Sequence, residues 1–327
     1  MNDIEFHLDN FMLHCDSKNL SRKTLNSYEQ TLRLFQFYLE NEQKITKVKD
    51  IKSGHIRQYV KYLRERGKYT VVSNGSSKIN HPDRKTDLGS DISDTTIANY
   101  LRNIKVFINF LYKERELVSN PVENIQNIKP QRKQKSLLKP EELKQLLSSM
   151  DITRFHERRL WTQVRLCLDT GIRATESCEI LPNDLDLKYN SLLIRNPKNH
   201  KERFVYFSSK MSVDLKRWLH YRDRFSDSVY LFPTTRGTKQ DVRNFERSLK
   251  KAGEKVGGNV HPHQLRNTFA KYYLTGVNGS GQGDFATLSR ILGHSSSEVT
   301  ARAYLDFTND EIRKNYQRHS PLNNLGL

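Results

Sequence analysis

Residues 129–136, Lys-Pro-Gln-Arg-Lys-Gln-Lys-Ser, separate two long regions of regular apolar spacing and have no such spacing themselves. A polar, basic stretch of this kind supplies nothing to a core and reads as a linker. Two bodies are therefore expected, residues 1–130 and 137–327, joined by 131–136. In the first, Leu25, Tyr28, Leu32, Phe35 and Leu39 recur at three- and four-residue intervals, which predicts an amphipathic helix over 20–42 capped by Ser21 or Thr24. A second helix is expected over 53–67, carrying Ile56, Tyr59, Val60 and Leu63 and ending at Gly67. A third is expected over 94–116, with Ile97, Leu101, Ile104, Phe107, Ile108 and Leu111 on one face and Asp94 or Thr95 as its cap. Residues 70–93, rich in Gly, Ser, Asn and Asp, predict a loop or weak hairpin.

In the second region Lys139-Pro140-Glu141-Glu142 opens a helix, with proline and acids in the first turn where the helix dipole favours them. Helices are expected near 155–170 and 174–181. The period then shortens. Leu192–Ile194 and Phe204–Phe207 are β-prone runs flanking a polar, basic turn around Asn196–Glu202, a hairpin signal, and Val229–Phe232 is a third such run. Helical spacing resumes over 239–255 and 263–275 and after residue 283. The expected fold class is mainly α with a small antiparallel β-sheet, an all-helical domain followed by a mixed α/β one.

Charge narrows the partners. The 327 residues carry 55 Lys+Arg against 37 Asp+Glu, a net +18, divided as +8 over 1–136 and +10 over 137–327. An excess on both bodies suits two surfaces that grip one polyanion. No apolar run reaches the ~18 to 20 residues of a membrane span, and the acidic start has no secretory pattern, so a cytoplasmic protein with no membrane partner is expected. Cys15, Cys167 and Cys178 are far apart, without C-x-x-C spacing, and predict neither disulfides nor zinc. No nucleotide-binding glycine loop and no metal-ligand motif is present, so no cofactor and no metal are expected.

Four pieces remain to carry chemistry. They are Thr170-Gly171-Ile172-Arg173-Ala174-Thr175-Glu176, the hairpin turn with Lys198 and Lys201, His263-Gln264-Leu265-Arg266, and Leu292-Gly293-His294 followed by Tyr304. Each alone has an ordinary explanation: a helix-start ion pair between Arg173 and Glu176, a surface pair of His263 and Arg266, a capping His294, a half-buried Tyr304 ring. In this order and spacing they resemble the catalytic domain of the tyrosine recombinase (phage integrase) family. T-G-I-R-x-x-E matches its first arginine box and H-x-L-R-x-T-F-A its second. Asn183–Ile194 resembles the segment leading to its sheet, P-K-N-H-K-E-R-F-V-Y-F its lysine hairpin, and L-G-H-S-S with a following tyrosine its nucleophile region. Residues 1–128 resemble its helical, SAM-like core-binding domain.

The resemblance implies a site-specific DNA recombinase that cleaves and rejoins DNA through a 3′-phosphotyrosyl intermediate, with no metal and no ATP. A phenol oxygen keeps the ester energy in a covalent bond. Two forked, permanently charged guanidiniums, Arg173 and Arg266, suit the extra negative charge on the phosphorus oxygens in the transition state. The hairpin lysine, Lys198 or its alternative Lys201, would protonate the leaving 5′-oxygen. His263 would assist proton transfer with Tyr304, and His294 would hydrogen-bond a phosphate oxygen. Glu176 would orient the arginine or histidine side, since a carboxylate facing the phosphate would repel it. Tyr304 stands ten positions after His294, one more than the usual family spacing, which leaves Tyr316 as the competing nucleophile. Pro197 and Asn199 replace the glycines that usually flank the hairpin lysine. Arg132, Lys133 and Lys135 would contact DNA from the linker.

The partners implied are double-stranded DNA at a specific recombination site, a homo-tetramer on synapsed DNA formed from monomers or weak oligomers, and an accessory DNA-bending or directionality protein. The biological role expected is integration and excision of a mobile element. Alternatives are a chromosome or plasmid dimer resolvase with the same residues, a catalytically inactive DNA-binding protein of this fold, and a type IB topoisomerase, which would act without site preference.

Overall fold

The computed structural model describes residues 2–71, 85–131, 137–195, 202–276 and 283–293. It divides into two compact units, Met1–Arg132 and Lys133–Leu327. Among the described residues four α-helices build the first: α1 (Asp3–Ser17), α2 (Arg22–Asn41), α3 (Ser53–Glu65) and α4 (Asp94–Lys113). Their apolar stripes meet in one core that includes Phe11, Leu32, Phe35, Leu39, Ile56, Tyr59, Leu63, Leu101, Phe107 and Leu111. Asn103 is a polar residue buried at the edge of this core: its Nδ2 donates to Thr31 Oγ1 at 3.0 Å and to the Ser27 carbonyl at 3.2 Å, tying α4 to α2.

The helix α1 is absent from the sequence expectations, although Ile4, Leu8, Phe11 and Cys15 lie buried along one side of it. The polar and acidic residues between them hide the stripe. Ser21 caps α2 by accepting from Thr24 N. At α4 the cap is Ser93, which accepts from Thr96 N, rather than Asp94 or Thr95. Just before the expected loop of 70–93, Lys68 pairs with residues near the loop's far end: Lys68 N donates to Ser90 O and Gly89 N to Lys68 O.

In the second unit α6 (Phe155–Thr170) is central and is packed by α8 (Ser209–Arg222), α9 (Val242–Glu254) and α10 (Pro262–Thr275). Around it lie α5 (Pro140–Ser148), the single turn α7 (Ala174–Ser177) and α11 (Phe285–Leu292). Three antiparallel strands, β1 (Leu185–Asp186), β2 (Ser191–Ile194) and β3 (Arg203–Tyr206), form one sheet in that order. The expected hairpin is β2–β3, with Leu192 opposite Val205 and Ile194 opposite Arg203. Leu192 and Val205 point into a core that holds Val164, Leu166, Leu215, Trp218, Phe232, Phe245 and Leu265.

Three expectations need correction here. The helix expected over 174–181 stops at Ser177, and Leu181 is extended (ψ 149°), as the residue before Pro182 prefers to be. Val229–Phe232 forms no strand; Leu231 N donates instead to Ile180 O at 2.7 Å, and Leu231 O accepts from Trp218 Nε1 at 2.8 Å. Helix α8, not expected, has Met211, Leu215 and Trp218 buried at positions i, i+4 and i+7. Among the described residues no helix is long and apolar enough to cross a membrane.

Candidate active site

The end of α6 sets the site's first fixed point. Gly171 takes the left-handed conformation (φ +65°) that closes the helix, and the next turn begins at Arg173. A side chain on Gly171 is excluded by space as well as by backbone, since a Cβ there would stand 2.2 Å from Phe269 Cδ1. With the backbone reversed at this point, the Gly171 carbonyl accepts from Arg266 Nη1 at 2.6 Å. Arg266 projects from α10 and is 2% exposed. Its other terminal nitrogen, Nη2, donates to Leu292 O at 2.6 Å.

The end of α11 sets the second. The last carbonyls of a helix have no intrahelical donor and carry the negative end of its dipole, so cations stabilise them. Here three consecutive carbonyls are each met by an arginine from a different element. Ile291 O accepts from Arg203 Nε on β3 at 2.9 Å, Leu292 O from Arg266 Nη2, and Gly293 O from Arg173 Nη2 at 3.5 Å. Gly293 is itself left-handed (φ +61°), and a Cβ on it would come within 3.1 Å of Arg203 Cδ and Nε. Arg173 and Arg266, 93 positions apart in sequence, are thus anchored on adjacent carbonyls one and two residues before His294.

Between the arginines lies Glu176, 4% exposed. It accepts from Arg173 N at 2.9 Å and Arg173 Nη1 at 2.8 Å, and both its oxygens are held by the Arg203 fork at 2.9 and 2.7 Å. Burial raises the affinity of this carboxyl for a proton, but the Arg203 hydrogen bonds and charge, followed by the Arg173 hydrogen bonds, outweigh it and hold Glu176 below the ordinary glutamate value. One carboxylate shared by two guanidiniums leaves the trio with a net positive charge. About a quarter of the Arg173 side chain remains exposed to offer it.

His263 lies in the first turn of α10, exposed and one turn before Arg266. Arg173, Glu176 and Arg266 are brought together around the end of α11. Lys198, Lys201, His294, Tyr304, Tyr316, Arg132, Lys133 and Lys135 lie outside the described residues. Arg203 is the residue that sequence reasoning missed. Its signal is its place on β3: with Phe204 and Tyr206 exposed and Val205 buried, residue 203 shares the inward side, where an arginine requires a partner.

Comparison with known proteins gives the family. The profile described as "Phage integrase family" matches residues 136–311, and "Phage integrase, N-terminal SAM-like domain" matches residues 8–78. The tyrosine recombinase XerC of Oceanobacillus iheyensis is 25% identical over 330 residues, covering 98% of this chain and 98% of its own length. XerC of Listeria monocytogenes is 28% identical over 320 residues, 94% of this chain and 95% of its own. Among solved structures, the Tn1549 transposon integrase in complex with transposon right end DNA shares the fold, with a TM-score of 0.75 at 16% identity over 97% of this chain and 99% of that one. The first profile spans more than half of the sequence, and this chain belongs to the phage integrase family of tyrosine recombinases, which are DNA strand-transferring enzymes.

Proposed function

We propose that this protein is a site-specific recombinase acting on double-stranded DNA, with Tyr304 as nucleophile. Its phenol oxygen attacks phosphorus, a 3′-phosphotyrosyl bond forms, and the bond to the 5′-oxygen breaks as Lys198 gives that oxygen a proton. The 5′-hydroxyl of a second strand then reverses the step and releases the tyrosine. Arg173 and Arg266 hold the phosphate oxygens through the transition state, His263 moves the tyrosine proton, and His294 bonds a phosphate oxygen. Glu176 fixes Arg173. Arg132, Lys133 and Lys135 contact the DNA backbone. Four protomers synapse two duplexes, because each cleaves one strand.

The observation that carries this reading is the anchoring of two guanidiniums from distant boxes on adjacent carbonyls that lead directly into His294. Salt bridges alone do not require that convergence. The test is a covalent trap: protein with EDTA and supercoiled plasmid carrying the DNA that flanks its gene, stopped with SDS and mapped by peptide analysis. An adduct at Tyr304 that Tyr304→Phe abolishes is the expected result. An adduct at Tyr316 moves the nucleophile, Lys201→Ala against Lys198→Ala decides the acid, and no adduct leaves a DNA-binding protein.

We assign the biological role to integration and excision of a mobile element. Full-length similarity to XerC proteins favours dimer resolution as a second reading. Mapping where Tyr304→Phe sits in the host genome separates them: the ends of an element carrying the gene, or one fixed locus.

A further inference from the structure

We infer that Arg203 is a positioning residue for DNA cleavage, acting through Glu176 on Arg173; this rests on the recombinase reading above. Arg203 opens β3 with its side chain 10% exposed, and it uses its whole guanidinium edge. The two Nη atoms clasp both Glu176 oxygens, Nε holds Ile291 O, and the stem lies against Gly293. One side chain therefore joins the hairpin, the first turn after α6 and the end of α11.

Its electrostatic consequence is distinct from its packing. A buried glutamate paired with Arg173 alone would cancel the charge of the guanidinium meant for phosphate and would draw it toward the carboxylate. Arg203 offsets that carboxylate first, and bidentately, so Arg173 is oriented by Glu176 without being neutralised by it. The hydrogen bond from Arg173 N to Glu176 and the contact of Arg173 Nη2 with Gly293 O complete the aim.

The test uses the full chain on a duplex with a nicked recombination site, measuring DNA affinity, melting temperature and single-turnover adduct formation separately. With the wild-type chain an adduct must form; its absence overturns the recombinase reading itself, and this inference with it. Given that adduct, Arg203→Ala is expected to slow cleavage ~10- to 100-fold, the scale of a slightly misplaced catalytic group, with DNA affinity within ~3-fold. Arg203→Lys, which retains the charge, should recover part of the rate. The double variant Arg203→Ala with Glu176→Gln should cleave faster than Arg203→Ala alone, because no carboxylate remains to neutralise Arg173. A purely structural role predicts instead that cleavage, affinity and melting fall together and that the lysine recovers nothing; that result, or wild-type cleavage by Arg203→Ala, overturns the inference. If Arg203→Ala does not fold, Arg203→Gln decides. It keeps a donor to Glu176 and no charge, so slowed cleavage at unchanged affinity supports the inference and wild-type cleavage overturns it.

Discussion

Gly171 lies against the ring of Phe269 so closely that a methyl group on it would stand 2.2 Å from Cδ1 and 2.6 Å from Cε1. Phe269 follows Arg266 by three positions on α10, so the contact that excludes a side chain at Gly171 also sets how near α10 approaches the carbonyl that Arg266 Nη1 holds. Gly171→Ala must bear both a left-handed alanine and a displaced ring. The expected loss is about 2 to 5 kcal/mol of unfolding free energy, summing a conformational and an overpacking cost. Urea unfolding measures it, and a loss under 1 kcal/mol would show that the ring moves aside freely.

Glu176 supplies a pH dependence whose sign is fixed by its environment. Its folded-state proton affinity is lowered, so its contribution to stability is complete at neutral pH and disappears as pH falls below the ordinary glutamate range. Glu176→Gln leaves Arg173 and Arg203 without their counterion and is expected to cost about 3 kcal/mol at pH 7. Unfolding titrations of both proteins from pH 7 to pH 3 should show the difference between them shrinking in acid. A difference independent of pH would mean that the glutamine's shape, not its lost charge, causes the loss.

What the sequence made legible, and what it hid, follows from the range of the interactions. The stripe of Ile97, Leu101, Ile104, Phe107 and Leu111 is a local pattern, and α4 stands where it predicts. The β2–β3 pairing was legible because a hairpin is closed by its own turn. Val229–Phe232 misled because Leu231 and Phe232 are buried as a core strand's residues would be, yet Val229 is exposed and the backbone of Leu231 bonds to Ile180 and to the Trp218 ring nitrogen rather than to a neighbouring strand. The arginine boxes drew attention by resemblance to Arg173 and Arg266, but the carbonyls that hold them have no side-chain identity to read. Arg203 was hidden for a related reason: it is one basic residue in a basic hairpin until Glu176 is known to lie beneath it.

Trp218 tests the core beneath the sheet. Fully buried, it packs with Phe155 and Phe232 at ring distances of 5.5 and 5.9 Å and gives Leu231 O its donor. Trp218→Phe removes the hydrogen bond and the smaller part of the ring volume, for an expected cost of about 1 to 3 kcal/mol. Trp218→Ala adds a cavity and should cost about 3 to 5 kcal/mol. If the two variants unfold at the same urea concentration, the hydrogen bond to Leu231 rather than ring packing dominates at this position.

The cysteines give a last test, one that reaches the site itself. All three are free and buried. Burial pushes the Cys167 thiol up to about 12 and the Cys178 thiol up to about 11, against hydrogen bonds with Ser177 and Gln163 that favour the thiolate, and it also raises Cys15. Nucleophilic thiol chemistry needs the thiolate, so modification at pH 8 has to wait for the chain to open. Labelling of the native protein by a maleimide is expected to run at least ~10³-fold slower than in urea, as for residues protected by most of a domain's stability. For Cys167 that neutrality matters to the chemistry. Its charge interactions reach both Glu176 and Arg266, so a thiolate there would add negative charge near one of the two guanidiniums proposed to hold phosphate. Rapid native labelling that maps to Cys167 would place an ionisable, accessible thiol in the site and contradict the electropositive arrangement argued for it.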